Sequence, residues 1–156
     1  MSSFALRSLN VFLRTTAVVA GSTLLSVQAV AATPNPCSLV TVAEMQAIAG
    51  KLSGAPRSTD PASGEVTCTF EPVNGPSFID VSLHDGDLKA WKARNGGKAP
   101  VSLPELGADA FVNTVANDWV DLYAKKGALI VRVTLPTGPN ALAMAKAIAT
   151  KALSRL

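Results

Sequence analysis

The sequence predicts an α+β domain: an antiparallel sheet of four to six strands, about three helices packed against it, and one disulfide. Three observations carry that expectation. Segments of alternating apolar residues and segments of 3.6-residue spacing follow in the order helix, two strands, helix, two or three strands, helix, without the regular alternation of a parallel α/β fold. The chain has 156 residues, 48% apolar and 16% charged, which is room for one ordinary domain. Its two cysteines are an even number. No internal repeat of fixed period occurs.

The first thirty residues read as a leader. Arg7 and Arg14 precede a stretch from Thr15 to Ala32 without charge, and the small residues end in Ala29-Val30-Ala31, the A-x-A pattern that a signal peptidase accepts. A signal peptide over residues 1–31 and a single exported domain over 32–156 are therefore expected, in the periplasm or outside the cell. Thr15, Thr16, Ser22, Thr23, Ser26 and Gln28 make the span too polar for a retained anchor, so no stable membrane span should follow cleavage. Arg7 and Arg14 are too far apart for a twin-arginine signal, and Pro34-Asn35-Pro36 before Cys37 is no lipoprotein box. The leader also supplies part of the formal charge of +3. What remains shows no clustered Lys and Arg for phosphates, so nucleic acid is not an expected partner.

Cys37 and Cys68 are the only cysteines, and an exported chain meets an oxidising compartment. A Cys37–Cys68 disulfide follows, tying an extended N-terminal segment to a strand. With no C-x-x-C and one histidine in the chain, a redox or metal site is the poorer reading.

The elements follow in order. Thr41-Val42-Ala43-Glu44 is a capping box, and Val42, Met45, Ile48, Ala49 and Leu52 share one face of a helix from about Val42 to about Ala49, with Gly50 near its end. Gly54, Pro56, Pro61 and Gly64 make 53–64 a loop. Val66, Cys68 and Phe70, then Ile79, Val81 and Leu83, alternate as two strands of a hairpin across the Pro72 to Pro76 turn. Asp85-Gly86-Asp87 ends the second strand, and Asp87 caps a short helix with Leu88 and Trp91 that stops at Asn95-Gly96-Gly97. A further strand is expected around Ala110 to Val115. Asp118 to Tyr123 and Ala128 to Leu135 then form a hairpin whose apolar residues must share a face. A four-residue loop Ala124-Lys125-Lys126-Gly127 would pair Leu122 with Leu129, Val120 with Val131, and set Trp119 opposite Arg132. After Pro139-Asn140, the residues Leu142, Ala145, Ile148, Ala149, Ala152, Leu153 and Leu156 form a helical stripe, with Lys146, Lys151 and Arg155 on the other side.

Several of these landmarks together are familiar: Asn35-Pro36-Cys37-Ser38-Leu39-Val40-Thr41, Ala43-Glu44, Gly50, Cys68-Thr69-Phe70, Leu106-Gly107-Ala108-Asp109-Ala110-Phe111, the Lys126-Gly127 hairpin and the final Leu-Ser-Arg-Leu. The chain resembles a family of functionally uncharacterised bacterial exported proteins and lipoproteins, whose mature parts open with Asn-Pro-Cys-Ser-Leu-Leu-Thr. It departs from that pattern in Pro104-Glu105-Leu106-Gly107-Ala108, where the family has Pro-Gly-Leu-Gly-Asp, and in lacking the lipoprotein cysteine. The resemblance implies an α+β domain and export, and it implies no catalytic residues.

No G-x-S-x-G, P-loop, H-E-x-x-H or dinucleotide fingerprint is present, and no cofactor is expected. Arg94-Asn95-Gly96-Gly97-Lys98 lacks the spacing of a phosphate loop and reads as a helix terminus. His84-Asp85-Gly86-Asp87 groups acid, base and ligand types. It reads as a polar turn first, and as a divalent-ion site or a small hydrolase-like centre second. No metal and no catalytic set is assigned. The candidate binding surface is Trp119, Asp121, Tyr123 and Arg132, projecting with Ile130 from the face opposite Val120, Leu122 and Val131. Aromatic residues and arginine carry interface energy; the alternative is that a helix covers this face and makes the aromatics core. The expected function is an exported non-catalytic domain that binds a protein, an envelope component or a small ligand, with an enzyme or an enzyme inhibitor as alternatives.

Overall fold

The computed structural model describes residues 33–59, 65–93, 99–115 and 118–156. The expected leader with its Ala29-Val30-Ala31 site, Pro61 and Gly64 of the first loop, and Arg94 to Lys98 lie outside these residues.

The chain turns at Asn35, whose Oδ1 accepts the Cys37 N–H at 2.9 Å and opens a 3-10 turn over Pro36–Ser38. Cys37 is therefore on a turn rather than an extended segment, because Pro36 fixes the φ that starts it. Its bridge to Cys68, 31 residues on, closes across Cα atoms 5.0 Å apart, and closing a loop of 31 residues is worth about 3–4 kcal/mol in the chain-entropy account. Helix α1 (Val42–Ala49) begins with the capping box: Thr41 Oγ1 accepts the Glu44 N–H at 3.2 Å and Glu44 Oε2 accepts the Thr41 N–H at 3.0 Å. Gly50 ends it at φ +84°, a conformation that disfavours a side chain. Met45 and Ala49 are buried as expected, but Val42, at the first helical position, is 42% exposed.

Seven strands follow: β1 (Arg57–Ser58), β2 (Val66–Phe70), β3 (Ile79–Asp85), β4 (Val101–Ser102), β5 (Phe111–Val115), β6 (Trp119–Lys126) and β7 (Leu129–Pro136). They form one antiparallel sheet in the order β1-β2-β3-β7-β6-β5-β4. The expected four to six strands become seven because β1 and β4 are two residues long, too short to show any alternation. The β6–β7 hairpin also corrects its expected loop. Lys126 pairs with Leu129, so the loop is the two residues Gly127 and Ala128, with Gly127 at φ +61°, a sign suited to the first central position of a type II′ turn. Leu122 then meets Val133 rather than Leu129, Val120 meets Leu135 rather than Val131, and Trp119 meets Pro136 rather than Arg132. Parity survives this shift of register, so the apolar and polar faces stand as expected.

Helix α3 (Ala141–Ser154) crosses β6 and β7 and touches α1. It buries Ala141, Ala145, Ile148, Ala149 and Ala152 against Phe70, Val81, Leu122, Val131 and Val133 in the main core. Leu142, expected in that stripe, is 39% exposed, and Ala141 occupies the buried position of the first turn. Arg155 donates to the Leu39 carbonyl at 2.7 Å and to the Glu44 carboxylate at 2.9 Å. Those contacts and the Thr41 cap pull the Glu44 carboxyl down to about 2. Among the described residues no helix is long and apolar enough to cross a membrane.

Helix α2 (Leu88–Ala93) lies on the opposite face. The chain leaves the sheet at β3, in the middle, and re-enters it at β4, on the far edge. Its path therefore passes α2 over the end of that face where Ile130, Tyr123 and Phe111 lie.

Candidate functional site

Antiparallel register decides which side chains line the face that α3 does not cover, because residues directly opposite one another share a face. One row runs Thr69, Asp80, Thr134, Asp121, Asn113 across five adjacent strands, and every member is polar. The next row runs Thr67, Ser82, Arg132, Tyr123, Phe111. Polar groups in the middle of a sheet hold their place only if hydrogen-bonded. Thr69 Oγ1 donates to Asp80 Oδ1 at 2.6 Å, Thr134 Oγ1 to Asp121 Oδ1 at 2.6 Å, and the Thr67 and Ser82 hydroxyls lie 2.7 Å apart. Asn113 is 3% exposed, and its Oδ1 finds no hydrogen-bond partner among the described residues.

Arg132 is the centre of this face. Its Nε and one Nη donate to Asp121 Oδ1 at 3.2 and 3.0 Å, and the other Nη lies 3.6 Å from Glu65 Oε1. The guanidinium stands 5.7 Å from the Tyr123 ring and 5.8 Å from the Trp91 ring, within cation–π range. Burial works against its charge, but the Asp121 carboxylate, with Tyr123 and Glu65, more than offsets this and raises its pKa. Asp80 goes the other way. Desolvation raises its pKa, opposed by the Thr69 hydroxyl and the more distant Arg132 charge, while Glu65 adds to the rise.

The four residues of the expected binding surface do share this face, with unequal access. Asp121 and Tyr123 are 6% and 4% exposed, whereas Trp119 is 38% exposed. Helix α2 covers Tyr123 through Leu88 and Trp91, and the far end of the face is left to Trp119. There Trp119 packs on Phe78 with ring centroids 5.1 Å apart, the two meeting over Pro136. Phe78 and Glu65 were missed in the sequence. Each lies just outside a strand, and their roles come from β3 pairing with β7, a long-range event with no local signal.

His84 projects onto the same face, its Nε2 3.4 Å from Glu65 Oε1 and its ring 4.7 Å from that of Trp91. Neighbouring side chains on a strand point to opposite faces, so Asp85 points away from it. Asp87 accepts the Lys89 N–H at 2.9 Å, its expected capping role. The grouping of His84 with Asp85 and Asp87 is thus replaced by one with Glu65 and Trp91. Among the described residues no group of three His, Cys, Asp or Glu side chains is placed to hold a metal ion. A hollow of about 340 Å³ lies against Val66, Leu83, His84 and Trp91. A larger cavity of about 480 Å³ lies elsewhere, between Ile48, Pro76, Pro136, Asn140 and Met144, with no ionisable side chain in its lining.

Fold and site together define a small disulfide-bonded α+β domain with one packed sheet face and one polar and aromatic face. No family model matches the chain, and no curated protein matches it. Among solved structures, a GTP binding regulator from Thermotoga maritima aligns at 14% identity over 77% of this chain and 93% of that chain, with a TM-score of 0.39. A likeness of that degree transfers neither fold nor function.

Proposed function

We propose that the chain is an exported, non-catalytic domain that binds a protein, an envelope component or a small ligand through the sheet face opposite α3. The observation that carries this reading is the polar row Thr69, Asp80, Thr134, Asp121, Asn113. These are inner sheet positions where apolar side chains would pack more stably than Asp80, Asp121 and Asn113, and a fold surrenders that stability where polar groups serve recognition. The leader and the disulfide support export, and the resemblance to uncharacterised exported proteins agrees with it. A photo-crosslinker replacing Trp119 should capture one partner from the native envelope or medium, competed away by unlabelled protein. The same group replacing Ala143, on the exposed side of α3, should not. Equal capture from both positions overturns the reading.

A hydrolase-like enzyme is the second reading, favoured by the His84 imidazole beside Glu65. Turnover by the purified domain that is abolished in His84→Ala would decide for it. An inhibitor is the first reading with an enzyme as the partner.

A further inference from the structure

We infer that the corner formed by Phe78, Trp119 and Asp80 receives a basic side chain, arginine above lysine, of a partner polypeptide. The inference rests on the binding reading above and names the chemistry that the uncovered end of the face accepts.

Three features converge there. Asp80 lies in β3 and Phe78 just before that strand, two residues away, while Trp119 and Asp121 are two apart in β6, so each aromatic residue neighbours a carboxylate on the same face. The two carboxylates differ. Asp121 is enclosed by Arg132 and Thr134, whereas Asp80 takes one hydrogen bond from Thr69 on Oδ1, and no cation among the described residues lies within ion-pair distance of it. Its Oδ2 accepts no hydrogen bond among the described residues. A half-desolvated carboxylate in that position is stabilised most by an incoming cation.

The aromatic pair narrows the choice. The rings of Phe78 and Trp119 are tilted by 39°, and Trp119 keeps 38% of its surface exposed. A ring face beside an acceptor suits a planar guanidinium, which stacks on the ring while its N–H groups reach the carboxylate; an ammonium makes the point contact alone. The molecule already uses this arrangement once, where Arg132 lies between Tyr123 and Trp91 and donates to Asp121. The Asp80 corner has the carboxylate and the rings of that arrangement and lacks the cation.

The test is a titration of the domain, followed by the indole N–H resonance of Trp119, assigned with Trp119→Phe. Gly-Arg-Gly should move that resonance saturably, Gly-Lys-Gly more weakly, and Gly-Glu-Gly not at all. Asp80→Asn should weaken the Gly-Arg-Gly response at least about ten-fold, with the fold intact by the unchanged methyl resonances of the α3 core. An equal response to Gly-Glu-Gly, or an Asp80→Asn titration that matches wild type, overturns the inference. If no basic peptide moves the resonance while specific crosslinking from position 119 persists, the inference fails and the binding face stands. If both are lost, both fall.

Discussion

The two faces of the one sheet are built to opposite rules. Against α3 and α1, every central position of β2, β3, β6 and β7 is apolar and closed, down to 0% exposure at Phe70, Val81, Leu122 and Val133. Next to these along each strand, on the other face, stand Thr69, Ser82, Tyr123 and Arg132. Stability in the first case comes from area removed from water, and in the second from hydrogen bonds and charge pairs between neighbouring strands. A face of the first kind tolerates shape-conserving change and is silent toward ligands. A face of the second kind is poorly replaceable and addressable.

This contrast can be broken experimentally, starting with the packed face. Phe70→Ala should cost about 3–5 kcal/mol by urea or guanidinium unfolding, the usual range for emptying a closed aromatic site. A loss below about 1 kcal/mol would mean that the core is not packed as described. On the polar face, Asp121→Ala should cost about 1–3 kcal/mol. It strips the carboxylate from an arginine that keeps a quarter of its side chain in solvent, which moderates the larger penalty of a fully buried broken pair. The loss should shrink in the double variant Asp121→Ala, Arg132→Met, since the uncompensated charge goes with the arginine.

The smallest effect is at Asp80, and its sign is the informative part. Its pKa is raised by burial in the folded chain, so at neutral pH the ionised carboxylate opposes folding, and Asp80→Asn should be neutral or stabilising by less than about 1 kcal/mol. As pH falls through the raised value the folded chain takes up the proton first, and wild type gains on Asp80→Asn until the ordinary aspartate value is reached. The groups that face Asp80 are Thr69, Arg132 and Glu65. Thermal melts of both proteins across that window should converge toward acid. Divergence toward acid would show that the carboxylate is held ionised by a cation, contrary to the geometry.

How far the sequence speaks depends on whether a feature is local. The α1 capping box, its Val42–Ala49 span, the β2–β3 hairpin and the parity of β6 and β7 are written within a few residues of themselves, and the structure agrees. Loop length was not legible, because the four-residue and two-residue loops preserve the same parity and both place Gly127 at positive φ; the Lys126–Leu129 pairing distinguishes them. The Phe78–Trp119 pair and the Glu65 contacts were out of reach for another reason. They require knowing that β3 lies beside β7, a neighbour reached only after α2 and three more strands.

The two-residue lengths of β1 and β4 bear on how the molecule behaves in a crowd. An open sheet offers its outermost ladders to any extended chain, and long flat edges invite fibrils and strand exchange. Among the described residues the outermost strands β1 and β4 are two residues long, and past β4 the edge left on β5 runs only from Asn113 to Val115, so an added strand finds short ladders. A visiting polypeptide gains less by lying alongside the sheet than by coming over its flat side, where side chains rather than backbone decide what stays.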